Sequence, residues 1–132
     1  MSKFLLSLFW CAVFLLVMDV SWLTLNRNLW NSQVMAIQRS PLKIRLGGAM
    51  LAYVALILAV VAFAVQPSKT PQDAWGRGGL LGFCIYAVFD GTVLALFSSY
   101  KWSTAGMDIL WGTFVCASAS WATKTLVSQF HQ

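Results

Sequence analysis

Four long apolar segments alternate with short polar ones along this 132-residue chain. They cover residues 4–25, 45–65, 78–98 and 104–127, and each is long enough to cross about 30 Å of hydrocarbon as an α-helix. Continuous apolar runs of this length predict helices, because a helix satisfies its own backbone hydrogen bonds in lipid. The pattern predicts an all-α fold, a four-transmembrane-helix bundle, with residues 1–132 forming a single integral membrane domain.

The polar residues between these segments predict where the helices begin and end. Pro67 and Pro71 bracket a polar turn before the third segment, and Ser103 or Thr104 is the expected N-cap of the fourth. Residues 28–42 carry apolar side chains at near-helical spacing among polar ones. That spacing is typical of a short interfacial helix, although a plain loop is equally compatible with it.

Composition agrees with membrane insertion. Hydrophobic residues make up 59% of the chain and charged residues 10%, with a mean hydropathy of +0.72, whereas soluble domains have about 25% charged residues. The net charge of +5 comes from basic residues that lie mainly between the apolar segments, where they contact lipid headgroups. We therefore expect no nucleic-acid partner. Three isolated cysteines and a single histidine, His131, also predict no metal and no cofactor.

Small residues recur at helical spacing on three of the segments. They are Gly48, Ala52, Ala55, Ala59 and Ala62 on the second, Gly78 and Gly82 on the third, and Gly112, Cys116, Ala119 and Thr123 on the fourth. Such stripes indicate helix–helix interfaces, within the chain or between copies, and we favour packing within the chain. The expected partners are membrane lipids and either other membrane subunits or further copies of this chain.

Three of the four acidic residues, Asp19, Asp90 and Asp108, lie inside apolar segments. A carboxylate in hydrocarbon is costly unless it is paired, hydrated or protonated, so such residues usually face a bundle interior. Four alternating crossings place all three in the same half of the membrane, roughly 6 to 12 Å from one side. That side, which we name side B, carries the connections after the first and third segments. The sequence thus predicts a polar pocket open to side B.

Hydrogen-bond donors and cations accompany the three carboxylates. Tyr86 precedes Asp90 by four residues, so both lie on one helical face. The pattern M-D-x-x-W occurs twice and places Trp22 and Trp111 one turn from an aspartate. Arg45 is the preferred cationic partner for one of the acids. The complete candidate polar cluster is Asp19, Asp90, Asp108, Tyr86, Trp22, Trp111, Arg45 and Arg27.

A purely structural reading of the same residues stays open. Asp108 is placed to stabilise the amino terminus of the fourth helix through the helix dipole. Asp19 is placed to form a buried ion pair with Arg27 or Arg45 that fixes the packing. The cluster is therefore either a polar lock or a functional site, and no residue is predicted to be catalytic.

Several fragments, in this order, resemble one family. They are Met18-Asp19-x-x-Trp22-Leu23, the Ala52-Tyr53 region, Gly82-Phe83-x-x-Tyr86-x-x-x-Asp90-x-Thr92, and Asp108-x-x-Trp111-Gly112. The chain resembles Domain of Unknown Function 2177, small uncharacterised membrane proteins with four predicted helices. The family usually reads Y-D-L-T-N around the third-helix acid, whereas this chain reads Phe89-Asp90-Gly91-Thr92-Val93 and lacks one phenol and one amide. The resemblance implies no established activity; some relatives look like neighbours of fatty-acyl-modifying enzymes or occur in large DNA viruses, which suggests a lipid-linked or membrane-organising role.

Three functions are compatible with these features. We favour a non-enzymatic accessory or assembly component of a membrane complex, located in the bacterial inner (cytoplasmic) membrane. The alternatives are a small proton- or cation-coupled permease that uses the intramembrane acids, and a lipid-modifying membrane enzyme. Orientation stays open, because side B carries five basic residues and the opposite side four.

Overall fold

The computed structural model describes residues 2–131, which form five helices and no strand. The helices are α1 (Lys3–Leu25), α2 (Arg27–Gln38), α3 (Leu46–Val60), α4 (Pro71–Leu96) and α5 (Trp102–Phe130). A π-helical turn, Val61–Val65, continues α3. The all-α class predicted from the apolar pattern is confirmed.

Three helices are long and apolar enough to cross a membrane: Lys3–Leu25, Leu46–Val65 and Pro71–Leu96. The 29-residue α5 is not among them. This helix lies at the centre of the packing, against α1, α4 and the π-helical turn. On the sides that face these elements, α5 carries buried polar residues such as Ser120 and Thr123, which a lipid-facing position would avoid. Its lower hydropathy follows from this central position.

Two predicted helix starts were wrong. Helix α4 begins at Pro71, because Thr70 caps it by accepting a 3.1 Å hydrogen bond from the backbone N–H of Asp73. Proline suits the first helical position, where its missing N–H costs nothing. Helix α5 begins at Trp102, so neither Ser103 nor Thr104 is its N-cap.

Residues 28–42, for which helix and loop were both open, are largely helical. Helix α2 spans Arg27–Gln38 and follows α1 after the single residue Asn26. The buried side chain of Gln33 accepts a 2.9 Å hydrogen bond from the backbone N–H of Lys101. This bond fastens α2 to the connection between α4 and α5.

Glycines allow α4 and α5 to pack at backbone contact distance. A Cβ atom added at Gly78 would lie 2.6 Å from the carbonyl oxygen of Cys116, and one at Gly82 would lie 2.7 Å from the Cys116 Cβ. A Cβ atom at Gly112 would collide with the ring of Tyr86. The glycines of both helices therefore fix the spacing between them, as small residues do in membrane helix pairs.

The small-residue stripes of α5 and α3 differ in burial. On α5, all four stripe residues are buried inside the chain, as predicted. On α3, Gly48, Ala52, Ala55 and Ala62 are exposed, and nothing lies within 4 Å of a Cβ built at Gly48. Packing within the chain was thus the wrong expectation for α3, because α3 contacts α4 mainly through the π-helical turn at its end. The α3 face is uncovered over most of its length.

Candidate functional site: a cavity with buried carboxylates

Asp19 joins three helices through its two carboxylate oxygens. Tyr53 of α3 donates its phenolic hydroxyl to Oδ2. Trp111 of α5 donates its indole N–H to Oδ1 over 2.9 Å. The Asp19 side chain is only 8% exposed, so both bonds lie in the protein interior. Hydrogen bonds to a charged acceptor are the stronger kind, and these two connect α1 to α3 and α5.

Asp90 is fully buried and has a different donor. Tyr100, in the connection between α4 and α5, donates its hydroxyl to Asp90 Oδ1 over 2.5 Å. The second oxygen, Oδ2, has no hydrogen-bond partner among the described residues. The Asp108 carboxyl group is a neighbour of Asp90 in the site.

The donors that the sequence suggested have other roles. Tyr86 does not donate to Asp90 in the described structure; its ring packs against Gly112. Trp111 serves Asp19 on another helix rather than Asp108 on its own. Trp22 stacks on Trp111 with ring centroids 4.6 Å apart and planes 5° from parallel. The two M-D-x-x-W segments therefore meet through Trp111, whereas the indole N–H of Trp22 has no hydrogen-bond partner among the described residues.

Neither predicted arginine pairs with a carboxylate of the cluster. Within residues 2–131 the ion pair present is Arg77–Asp73, at 3.1 Å on an exposed part of α4. Arg45 is the exposed N-cap residue of α3, and Arg27 lines a separate cavity of about 860 Å³ beside α2. The expected ion pair with Arg45 is not formed. Aromatic N–H and O–H groups serve the carboxylates instead, which avoids burying a guanidinium group.

These polar side chains gather at one end of the helices. Asp19 and Asp90 lie within about two turns of the ends of α1 and α4, and Asp108 lies within about two turns of the start of α5. Tyr53 lies slightly deeper from the start of α3. We call this end of the structure the carboxylate end. Helix α2 and the α4–α5 connection also lie here, joined by the bond between Gln33 and Lys101.

A cavity of about 370 Å³ opens beside the carboxylates. All five helices contribute to its walls, which include Asp19, Trp22, Trp30, Tyr53, Tyr86 and Asp108. The remaining lining is mostly aliphatic, from residues such as Leu56 and Ile85. The cavity occupies the space where α3 diverges from α4 before the π-helical turn brings the two together. The carboxylates of Asp19 and Asp108 thus face a mainly apolar space.

Sequence reasoning missed three residues of this site, Tyr53, Tyr100 and Trp30. The chain has only three tyrosines; Tyr53 and Tyr86 line the cavity, and Tyr100 donates to Asp90. Buried phenols usually need a hydrogen-bond partner. Because the chain has three intramembrane acids, each of its three tyrosines could have been considered as a hydrogen-bond donor to one of them.

The chemistry available at this site is recognition through carboxylates and aromatic rings. The side chains are placed to accept hydrogen bonds or bind a positive charge. In the described part of the chain, no group of three or more histidine, cysteine or acidic side chains is placed to hold a metal ion. Cys11 and Cys116 are buried in the apolar core as free thiols, where they pack as small apolar side chains.

The helices and the buried carboxylates define a helical membrane protein with a polar interior site. The chain belongs to the DUF2177 family, described as a predicted membrane protein, whose model matches residues 4–125. The resemblance seen in the sequence fragments is therefore confirmed over nearly the whole chain. Comparison with the curated proteins and with the solved structures gave no match.

Proposed function

We propose that this chain is a four-span protein of the bacterial inner membrane that serves as a non-enzymatic accessory or assembly component of a membrane complex. In this proposal the intramembrane carboxylates, open to one side, lock its helices together. The uncovered small-residue face of α3 receives a transmembrane helix of another subunit. The observation that carries the proposal is this face, most of which the described chain leaves uncovered.

The contacts between α4 and α5 support a fourth crossing. From one end to the other, Gly78 lies against Ser120, Gly82 against Cys116, and Tyr86 against Gly112. Two antiparallel helices in contact over this length share the same depth in a bilayer. If α4 crosses the membrane, α5 crosses beside it.

The position of α2 supports an interfacial helix. Asn28, Asn31 and Ser32 present polar side chains along it, while Trp30 lines the cavity on the inner side. A helix with one polar and one apolar face lies in the interface plane. In this arrangement α2 covers the carboxylate end where it meets the headgroups.

The small-residue face of α3 supports assembly with a partner. Gly48, Ala52 and Ala55 follow the small-xxx-small spacing that lets helix backbones approach closely in lipid. Packing of this kind gives helix association in a solvent where the hydrophobic effect contributes little. The small residues of α5 are already buried by contacts within the chain. The exposed small residues of α3 are therefore available to pack against a helix of another subunit.

The hydrogen bonding of Asp19 favours the lock over the two alternative functions. Both its oxygens are occupied by fixed side chains of the protein, Tyr53 and Trp111. A permease needs a polar path through both halves of the membrane. Beyond the carboxylates, however, the interior of the described chain has apolar residues such as Leu15 and Val115 with scattered hydroxyl groups such as that of Ser120, and no further buried charged side chain. A lipid-modifying enzyme has weaker support, since no activated nucleophile accompanies the acids.

Leucine substitutions on α3 test the assembly role. Gly48→Leu with Ala55→Leu removes the close-approach face without touching the cavity, since neither residue lines it. The control is Val54→Phe, a similar increase in bulk at an exposed position on a different face of α3. Native mass spectrometry of complexes extracted from the membranes of the source cells measures the result.

We expect the wild type and Val54→Phe to retain a partner subunit in fixed stoichiometry, and the double leucine variant to lose it. Circular dichroism checks that the variant keeps its helices. A second copy of the chain in place of a different subunit would support assembly as a homo-oligomer. A wild type that is always a single chain, or a double variant that keeps its partner, would contradict the proposal.

A further inference from the structure

We infer that the cavity beside Asp19 and Asp108 binds a lipophilic ammonium compound that enters from the bilayer between α3 and α4. This inference goes beyond the assembly role; Ala52 belongs to both surfaces, but the substitutions that test the two proposals are at different residues. The ligand class follows from what the cavity walls offer and what they lack.

Asp108 is the first feature that indicates a ligand. Its side chain is 7% exposed and lines the cavity. No hydroxyl, amide or amine group of residues 2–131 donates a hydrogen bond to it. Asp90, which lies beside it, is another carboxyl group. A buried acceptor without a donor is costly, and a cation that also donates hydrogen bonds would satisfy it.

The charge of the lining indicates a cation. Asp19 and Asp108 both line the cavity, and the described lining contains no lysine or arginine. The nearest cationic lining belongs to the separate cavity beside α2, where Arg27 and Lys43 lie. An anionic ligand would meet only carboxylates and apolar groups here. A positive charge would meet two carboxyl groups in a mainly apolar space, where charge attraction is stronger than in water.

The aromatic walls indicate an ammonium group in particular. Trp22, Trp30, Tyr53 and Tyr86 surround the cavity next to the carboxylates. Aromatic faces attract ammonium groups, and rings arranged around one site form the usual cage for them. A hard divalent cation would instead prefer a shell of six or more oxygen ligands, which this lining does not provide.

The size and the apolar lining indicate the rest of the ligand. A volume of about 370 Å³ falls within the range of small-molecule pockets. Leu23, Leu56 and Ile85 supply an apolar surface for a hydrocarbon body. The half-exposed Phe89 lies on the α4 side of the gap and the exposed Ala52 on the α3 side. In a bilayer this gap faces acyl chains, so an amphiphile reaches the cavity without crossing water.

Two kinds of membrane compound carry an ammonium group attached to an apolar chain. One is the ammonium headgroup of a membrane phospholipid such as phosphatidylethanolamine, with its acyl chains left in the bilayer. The other is a free lipophilic amine dissolved in the membrane. Both place an ammonium group between Asp108 and the aromatic walls, and the experiment separates them.

The test measures octylammonium binding to the full chain in nanodiscs of an uncharged galactolipid, whose headgroup carries no ammonium group. Isothermal titration calorimetry against empty nanodiscs corrects for partition into lipid, and fluorescence quenching of the cavity tryptophans gives a second readout. Octanol, with the same hydrocarbon chain and no charge, is the ligand control. Asp108→Asn replaces the carboxyl group by an amide with little change in shape, and Ile85→Phe fills part of the cavity. Asp73→Asn, which removes a carboxylate remote from the cavity, is the protein control.

We expect saturable octylammonium binding to the wild type and to Asp73→Asn, and a loss of about tenfold or more in affinity for Asp108→Asn. Ile85→Phe should also weaken binding, even if Asp108→Asn proves too unstable to purify. Equal affinity in the wild type and both cavity variants would overturn the inference. Octanol binding as tightly as octylammonium would overturn it as well, since charge would then play no part.

Repeating the titration in nanodiscs that contain phosphatidylethanolamine identifies the source. Competition from the lipid, seen as weaker octylammonium binding, assigns the site to the phospholipid headgroup, and unchanged binding assigns it to free amines. A failure here is distinct from a failure of the assembly role. Asp108 and Ile85 lie outside the α3 face, and Gly48 and Ala55 lie outside the cavity.

Discussion

Trp111 of α5 donates its indole N–H to the carboxylate of Asp19 on α1, 2.9 Å away, and its ring stacks on Trp22 of the same α1. One side chain thus makes a directional polar bond and a broad apolar contact with the same neighbouring helix. The two contacts fix both the rotation of α5 and its distance from α1.

Removing the indole N–H of Trp111 should destabilise the fold. Trp111→Phe keeps an aromatic ring beside Trp22 but leaves Asp19 Oδ1 without its donor. We expect a loss of about 1–2 kcal/mol in the free energy of unfolding. Unfolding by SDS in mixed micelles measures the loss, with Trp121→Phe at a half-exposed position as the control. Equal stabilities for the two variants would show that the bond to Asp19 contributes nothing.

Two tyrosines of the site should respond differently to loss of the hydroxyl. Tyr100→Phe leaves the fully buried Asp90 without its hydroxyl donor, which should cost about 1–3 kcal/mol. Tyr86→Phe removes a hydroxyl for which the described structure shows no hydrogen bond, so its cost should stay below about 0.5 kcal/mol. The same SDS unfolding assay compares the pair. A larger effect at Tyr86 would reassign the donor of Asp90 to the residue that the sequence suggested.

Two glycines of α4 should respond to alanine with opposite signs. At Gly82 the new methyl group would lie 2.7 Å from the Cys116 Cβ, so overpacking should cost about 1–3 kcal/mol. At Gly91 nothing lies within 4 Å of the new Cβ, and alanine in a helix interior should stabilise by about 0.5–1 kcal/mol. Thermal unfolding in detergent measures both. A stabilising Gly82→Ala would mean that α4 and α5 are farther apart than described.

The bond from Lys101 to Gln33 should hold α2 in place. Gln33→Leu keeps the bulk of the buried side chain but leaves the Lys101 N–H without its acceptor. We expect the 26–45 segment to become more sensitive to limited proteolysis in nanodiscs, while the transmembrane helices stay protected. Ser32→Leu, at an exposed position of α2 for which the described structure shows no side-chain hydrogen bond, is the control. Identical cleavage rates for both variants would show that α2 is held by its apolar contacts alone.

The helices could be predicted because a chain segment in lipid must satisfy its own backbone hydrogen bonds. Uninterrupted apolar stretches must form helices there, and this placed α1 and the Leu46–Val65 helix to within a residue or two. The start of α4 was missed because residues 71–77 are polar, although the Thr70 cap and Pro71 favour a helix. Hydropathy predicts only the apolar part of a helix, and α4 begins seven residues before its apolar part, which starts at residue 78.

The hydrogen-bond partners at the site could not be predicted from the sequence. Whether Asp19 meets Tyr53 or Arg45 depends on how α1 and α3 are rotated against each other, and sequence spacing specifies only neighbours on one helix. Tyr86 was chosen because it lies one turn from Asp90. The actual donor, Tyr100, is ten residues from Asp90, in the connection that turns the chain back. Helical spacing predicts side-chain neighbours only within one helix, so it could not identify a donor in the connection that follows α4.

The central position of α5 also determines the order of events during synthesis. This helix is translated after the other four described helices, yet it supplies Trp111 to Asp19 and brings Asp108 to Asp90. Until it arrives, α1 and α4 must enter the membrane with carboxylates that lack these neighbours. Insertion of the earlier helices is therefore provisional, and a chain truncated before α5 should be recognised by membrane quality control as unfinished.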